Sequence, residues 1–358
     1  NRALMDEWYR HPTYDAYWRD EDCSLHFDRM NVPCFTVGSW YDFMNQGSLM
    51  SFAGRQHRGG PGSRGRQQLL VGPWLHGGLP KSNAIGELVY PENARFDTQE
   101  HMLRWFDHWL KDVDNGIMDE PPVSVFTLGE NRWQHLEDWP PPAMREARWY
   151  LHSEGAAATA HGDGTLSTVP PGDEASDRFT YDPADPVPTL GGNNLIIDMG
   201  VKDQRPVEER PDVLVFTSEP LQAPLETTGP VRVELWASSS AVDTDFTAKL
   251  VDVRPDGYAM NLLDGIIRAR YRNSASSPEP MEPGRPYRFE IDLWATSNVF
   301  LAGHRIRLEI SSSNFPRFDR NLNTGAPFGE GAAGVVARQE VFHDRLRPSA
   351  VVLPIIPR

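Results

Sequence analysis

The run Asp138-Trp139-Pro140-Pro141-Pro142 divides this chain into two stretches with different periodicities, and any fold must accommodate both. Consecutive prolines offer no backbone N–H and stiffen the chain, so regular structure is expected to stop there. Ahead of it, strand-like and helix-like patterns alternate. Residues 32–37, 67–71 and 123–128 read as short apolar strands, and residues 43–57 and 98–111 as helices. Such alternation builds a parallel sheet flanked by helices. Asp97 is placed to cap the second helix, with Glu100 at the capping-box position. Leu103, Phe106 and Leu110 share one face of it, with Met102, Trp105 and Trp109 beside them, so that face is expected to cover the sheet. Residues 1–25 carry Trp8, Tyr9, Tyr14, Tyr17 and Trp18 among charges and have no core of their own, which suits a helical segment resting on something else.

Beyond the prolines, helical periodicity disappears. Short β-rich runs follow at 149–152, 213–217, 231–237, 246–253, 266–271, 287–293, 305–311, 339–343 and 351–356, separated by Gly, Pro, Asp and Asn. Val231, Val233 and Leu235 alternate with Arg232, Glu234 and Trp236, which predicts one buried and one wet face. Antiparallel strands in this number argue for a sandwich of the jelly-roll type. The expected organisation is a helical segment over 1–25, an α/β part over 26–145 and an all-β part over 146–358. With 39% hydrophobic and 10% aromatic residues, the 358-residue chain can bury real cores in both.

The charge balance narrows the partners. Thirty-five Lys and Arg against 50 Asp and Glu give a net charge of −15, with no basic stripe to follow a phosphate backbone, so nucleic acid is not expected. No run approaches the roughly 18 apolar residues of a membrane span. Cys23 and Cys34 match no metal-ligand spacing, and Cys34 reads as a small buried thiol in a strand.

Chemistry concentrates in two short segments. Val37-Gly38-Ser39-Trp40-Tyr41-Asp42-Phe43 and Leu70-Val71-Gly72-Pro73-Trp74-Leu75-His76-Gly77 each follow an expected parallel strand, which puts Asp42 and His76 on loops at strand carboxyl ends. α/β-Hydrolases keep their acid and histidine there, in the chain order Ser, Asp, His. Trp40, Tyr41 and Trp74 flank the pair and are candidates to wall an acyl pocket, although core burial suits such aromatics as well. The third member would be a Ser on a sharp strand-to-helix turn, and no Ser or Cys here has that setting. The nearest approach, Ser63 in Gly62-Ser63-Arg64-Gly65, has Pro61 where the first glycine belongs. The nucleophile is therefore expected ahead of residue 1.

Other polar residues compete weakly. His101 and His108 share a helix face but lack a third metal ligand, and no metal is expected there. Asp243, Asp245 and Asp252 lack the dense oxygen spacing of a calcium loop and read as a solvated sheet edge. Glu87, soon after the histidine, is a candidate to attract a substrate ammonium group.

Four segments together carry a resemblance: His11-Pro12-Thr13-Tyr14-Asp15-Ala16-Tyr17-Trp18, Gly38-Ser39-Trp40-Tyr41-Asp42, Gly72-Pro73-Trp74-Leu75-His76-Gly77 and residues 311–321, which read Ser-Ser-Ser-Asn-Phe-Pro-Arg-Phe-Asp-Arg-Asn. In that order they resemble the cocaine esterase and X-Pro dipeptidyl-peptidase-like family of serine hydrolases, over nearly the whole chain. The resemblance implies an α/β-hydrolase domain with a helical cap, followed by a jelly roll. Asp42 then matches the triad acid and His76 the triad base, while the serine and the oxyanion hole fall in the front part of the protein. Gly38-Ser39 stands where the family carries a glycine pair. A small-molecule ester or amide would be the substrate, no cofactor would be needed, and residues 1–358 alone would be inactive. A rival reading makes the chain a jelly-roll binding module for carbohydrate or protein, with Trp236, Trp294 or Tyr258 as a sugar platform.

Overall fold

The structure, a computed structural model, describes residues 2–77, 82–195 and 197–358. Two short helices, α1 (Arg2–Arg10) and α2 (Ala16–Glu21), and a 3₁₀ segment (Cys23–Arg29) precede the first strand. The α/β part follows with β1 (Cys34–Tyr41), α3 (Asn45–Arg58), β2 (Gln67–Leu75), a small hairpin of β3 (Ala84–Ile85) and β4 (Leu88–Val89), α4 (Thr98–Lys111), β5 (Val123–Thr127) and β6 (Arg132–Leu136). Its sheet has the order β1-β2-β5-β6, parallel except for β6, which returns antiparallel to β5. Both β1 and β2 run further than their apolar cores suggested. Parallel pairing carries through Gly38-Ser39-Trp40 and Gly72-Pro73-Trp74 to the Tyr41–Leu75 pair, with an irregularity between Ser39 and Tyr41.

The helix α4 corrects the sequence reading. Its bounds match and Asp97 accepts the Gln99 and Glu100 N–H groups, but the face turned inward is that of Trp105, 4% exposed. Leu103, Phe106 and Leu110 are 59%, 53% and 75% exposed. The inward face is fixed by polar and ring contacts that a hydrophobicity pattern ignores. His101 Nε2 meets Gln68 Oε1 at 2.9 Å, and Phe35 of β1 packs against both His101 and Trp105.

The all-β part is a jelly-roll β-sandwich. It comprises β7 (Arg145–His152), β8 (Thr165–Ser167), β9 (Asp177–Tyr181), one turn of helix α5 (Arg205–Glu208), β10 (Leu214–Ser218), β11 (Leu225–Ser239), β12 (Asp245–Val253), β13 (Ala259–Arg268), β14 (Tyr287–Phe300), β15 (Arg305–Ser311), β16 (Ala337–Phe342) and β17 (Ala350–Ile355). The alternation in β11 holds, with Val231, Val233, Leu235 and Ala237 buried. Strand β13 begins earlier than the 266–271 run because antiparallel pairing with β12 extends back to Ala259. Strands β6, β8 and β9 are too short or too polar to have been legible.

The two parts share one apolar core, which runs from Trp40 and Phe126 to Leu293 and Ile310. Their backbones also join directly. Leu128 donates to Ser297 O and accepts from Val299 N, both at 2.9 Å, so the end of β5 is pinned to β14. Ring packing across the sandwich, Phe246 of β12 on Phe289 of β14 with centroids 4.9 Å apart, fills the space between its layers.

Candidate active site

The register of the parallel sheet explains how two residues distant in sequence meet. Tyr41 pairs with Leu75, so the next residue on each strand, Asp42 and His76, emerges at the same carboxyl end. Asp42 is held in a tight turn. Its N–H donates to Ser39 O (3.1 Å), its Oδ1 accepts Met44 N–H (2.8 Å), and its carbonyl accepts Asn45 N–H (3.1 Å) at the start of α3. His76 Nδ1 lies 3.0 Å from Asp42 Oδ1 and 3.1 Å from Oδ2. A carboxylate accepting from Nδ1–H makes the neutral ring the tautomer whose Nε2 carries the lone pair. That nitrogen bonds to no described residue, and the imidazole is one-third exposed, with Asp42 at 19%. Phe43 packs on the ring with centroids 4.7 Å apart. The sequence reading did not single out Phe43, because it sits at a helix start where an aromatic carries no signal.

The flanking aromatics stand elsewhere. Trp40, Tyr41 and Trp74, the candidate pocket walls, are buried in the core, each with its polar tip bound to a carbonyl. Trp40 Nε1 donates to Phe126 O (2.6 Å), Trp74 Nε1 to Ala94 O (2.8 Å) and Tyr41 O–H to Asn261 O (3.0 Å). Burial pushes the Tyr41 phenol well above its usual range. These side chains tie the acid and histidine strands to β5, to the segment before α4 and to the sandwich, and leave no face for an acyl group.

Other sequence candidates are also redirected. Glu87 is 43% exposed, but its carboxylate is already engaged by protein groups. Its Oε2 accepts from Tyr258 O–H (3.0 Å) and Asp203 N–H (3.1 Å), and Lys202 Nζ stands 3.7 Å from Oε1. Asp243, Asp245 and Asp252 are not on a solvated edge. They are buried and paired with Arg270, Arg268 and His304 respectively. Ser63 is buried, with its Oγ accepting from Gln67 Nε2 at 3.0 Å. Cys34 is half-buried, with its Sγ 3.7 Å from Thr36 Oγ1. His101 and His108 bind separate partners, Gln68 and the Val113 carbonyl. Among the described residues no group of three His, Cys, Asp or Glu side chains could hold a metal ion. The platform aromatics form no strip, since Trp294 is covered by Arg317 at 5.3 Å and Tyr258 is engaged by Glu87 and Arg254.

A sheet whose parallel strands bring an acid and a histidine together at their carboxyl ends, with a jelly roll packed behind it, has the architecture of an α/β-hydrolase domain joined to an all-β domain. The particular family follows from sequence profiles and relatives. Residues 115–352 match the X-Pro dipeptidyl-peptidase C-terminal non-catalytic domain, and residues 1–78, which contain both Asp42 and His76, match the X-Pro dipeptidyl-peptidase (S15 family). The chain is 40% identical to the cocaine esterase of Rhodococcus sp. (strain MB1 Bresler), over 99% of this chain and 62% of that protein. It superposes on an aminopeptidase from a marine sediment Thaumarchaeota archaeon with a TM-score of 0.87 and 29% identity, covering 99% of this chain and 60% of the other. An α-amino acid ester hydrolase gives 0.84 and 30%, covering 98% and 60%. The chain belongs to the cocaine esterase and X-Pro dipeptidyl-peptidase-like family of serine hydrolases. It spans about three-fifths of the length of these three relatives.

Proposed function

We propose that the intact protein hydrolyses an ester or amide bond, of acyl, α-amino acyl or X-Pro type, through an acyl-enzyme. Asp42 and His76 supply two members of its triad, and sequence outside residues 1–358 supplies the serine. The observation that carries this reading is the contact of His76 Nδ1 with both Asp42 oxygens, with Nε2 bonded to no described residue. In the proposed cycle the serine Oγ attacks the carbonyl carbon while Nε2 takes the hydroxyl proton. The tetrahedral intermediate collapses, and His76 returns the proton to the departing alkoxide or amine. Water then attacks the acyl-enzyme by the same route and releases the carboxylic acid and the free serine. Asp42 holds the tautomer and stabilises the imidazolium without itself taking a proton.

The deciding experiment is fluorophosphonate labelling of the full-length protein with and without His76→Ala. The expected result is an adduct on a serine ahead of residue 1, with kcat falling by about 10⁴-fold or more in the variant. Unchanged hydrolysis in His76→Ala would remove the reading. Residues 1–358 alone are expected to be inactive. Hydrolysis of an activated ester by that fragment, abolished by His76→Ala, would overturn the assignment of the serine to sequence outside it.

A further inference from the structure

We infer that the β-sandwich holds the Asp42–His76 pair at its working separation, with Asn261 and Gly200 as positioning residues that act through the backbone next to each member. The inference rests on the proposed role of His76.

One residue of β13 connects to the neighbours of both partners. The carbonyl of Asn261 accepts from Tyr41 O–H at 3.0 Å, and Tyr41 immediately precedes Asp42. The side chain of the same residue organises the 200–202 segment. Its Oδ1 accepts from Lys202 N–H (2.7 Å) and its Nδ2 donates to Gly200 O (3.2 Å). That segment lies against the neighbours of His76. A Cβ at Gly200 would stand 2.7 Å from Leu75 Cδ2, 2.9 Å from Gly86 N and 3.2 Å from Ile85 C. In the other direction, a Cβ at Gly86 would stand 2.1 Å from Val201 O. Both glycines have left-handed backbones, with φ of +85° and +63°, so two backbones touch where only glycine fits.

The contact is closed by hydrogen bonds on both sides. Glu87 N–H donates to Val201 O (2.9 Å), Asp203 N–H donates to Glu87 Oε2 (3.1 Å), and Gly192 and Gly200 exchange two bonds of 2.7 and 2.9 Å that brace the loop from behind. The sandwich thus grips the histidine segment at Leu75 before it and at Ile85–Glu87 after it, and grips the acid strand at Tyr41. A general base must sit within about 0.5 Å of its productive place, and a 1 Å misplacement can cost about 10²-fold in rate. Two loops on a small sheet do not hold that tolerance alone. A rigid neighbour that touches both does.

The test is kinetic, on the full-length protein. Gly200→Ala and Asn261→Ala are expected to lower kcat about 10- to 100-fold with KM within about threefold. Faster amide hydrogen exchange at Glu87 should accompany the loss. Where these variants do not fold, Tyr41→Phe and Tyr258→Phe, each of which removes one hydroxyl bond in the same linkage, decide the matter with about a two- to tenfold loss in kcat. Folded variants with wild-type kcat and unchanged exchange would overturn the inference. Full activity in His76→Ala would instead overturn the role of His76 as the base, and the exchange measurement would still report on the linkage.

Discussion

The α/β sheet and the sandwich treat their charged groups in opposite ways. At the carboxyl end of the sheet, the Asp42–His76 pair is part-exposed and one ring nitrogen bonds to no described residue. Inside the sandwich, several ion pairs are shut away from solvent. Lys249 and Glu309 are 3.2 Å apart at 10% and 4% exposure. His343 uses both nitrogens, on Glu174 and Asp177, with its side chain at 0%. A histidine against a carboxylate is therefore no mark of chemistry by itself, since His304–Asp252 and His343–Asp177 also meet, at 2.8 Å each. The distinguishing features are the position of both residues at the carboxyl ends of adjacent parallel strands and the exposure of the ring, 33% against 12% for His304 and 0% for His343. Buried pairs matched this closely resist rearrangement, which suits a body that serves as a fixed support.

The contrast can be broken most sharply at the open pair. Asp42→Asn in the full-length protein is expected to keep the fold and lower kcat by about 10⁴-fold, because the amide favours the wrong imidazole tautomer. Steady-state kinetics beside circular dichroism check both halves of that statement. Inside the sandwich the effect should fall on stability instead. Lys249→Met removes the ammonium facing Glu309, whose carboxyl burial already pushes up to about 7. Denaturant titration should show a loss of about 3–5 kcal/mol, most of it recovered in the Lys249→Met/Glu309→Leu double variant.

Trp40→Phe tests the core placement of the flanking aromatics. It removes the hydrogen bond to the Phe126 carbonyl and should cost about 1–3 kcal/mol of stability with KM unchanged. A changed KM would instead put Trp40 in the substrate pocket. The smallest effect concerns His343. Burial works against its charged form, but hydrogen bonds to Asp177 and Glu174 outweigh it and raise the pKa above 6.5. The folded protein then keeps a proton that the unfolded chain has lost, so this stabilisation is complete below pH 6.5 and disappears as pH rises through the folded pKa. The slope cannot exceed about 1.4 kcal/mol per pH unit in that window, and His343→Gln should flatten it.

Local pattern and tertiary contact divide the rest of the account. The bounds of α4, the alternation in β11 and the placement of Asp42 and His76 after parallel strands were legible, because each depends on residues within a few positions of one another. The inward face of α4 was not legible, since Gln68 and Phe35 choose it from two other strands. The same holds for Asp243, Asp245 and Asp252. A carboxylate looks solvated until Arg270, Arg268 and His304 arrive from elsewhere in the chain.

For the site itself, the sequence alone singled out Asp42 and His76 as the proposed acid and base, because strand-end loops and residue chemistry are local properties. The distance between them is a tertiary quantity. It depends on the Tyr41–Leu75 register and on backbone packing of Gly200 and Asn261 against the neighbours of both residues, contacts between segments that no periodicity connects.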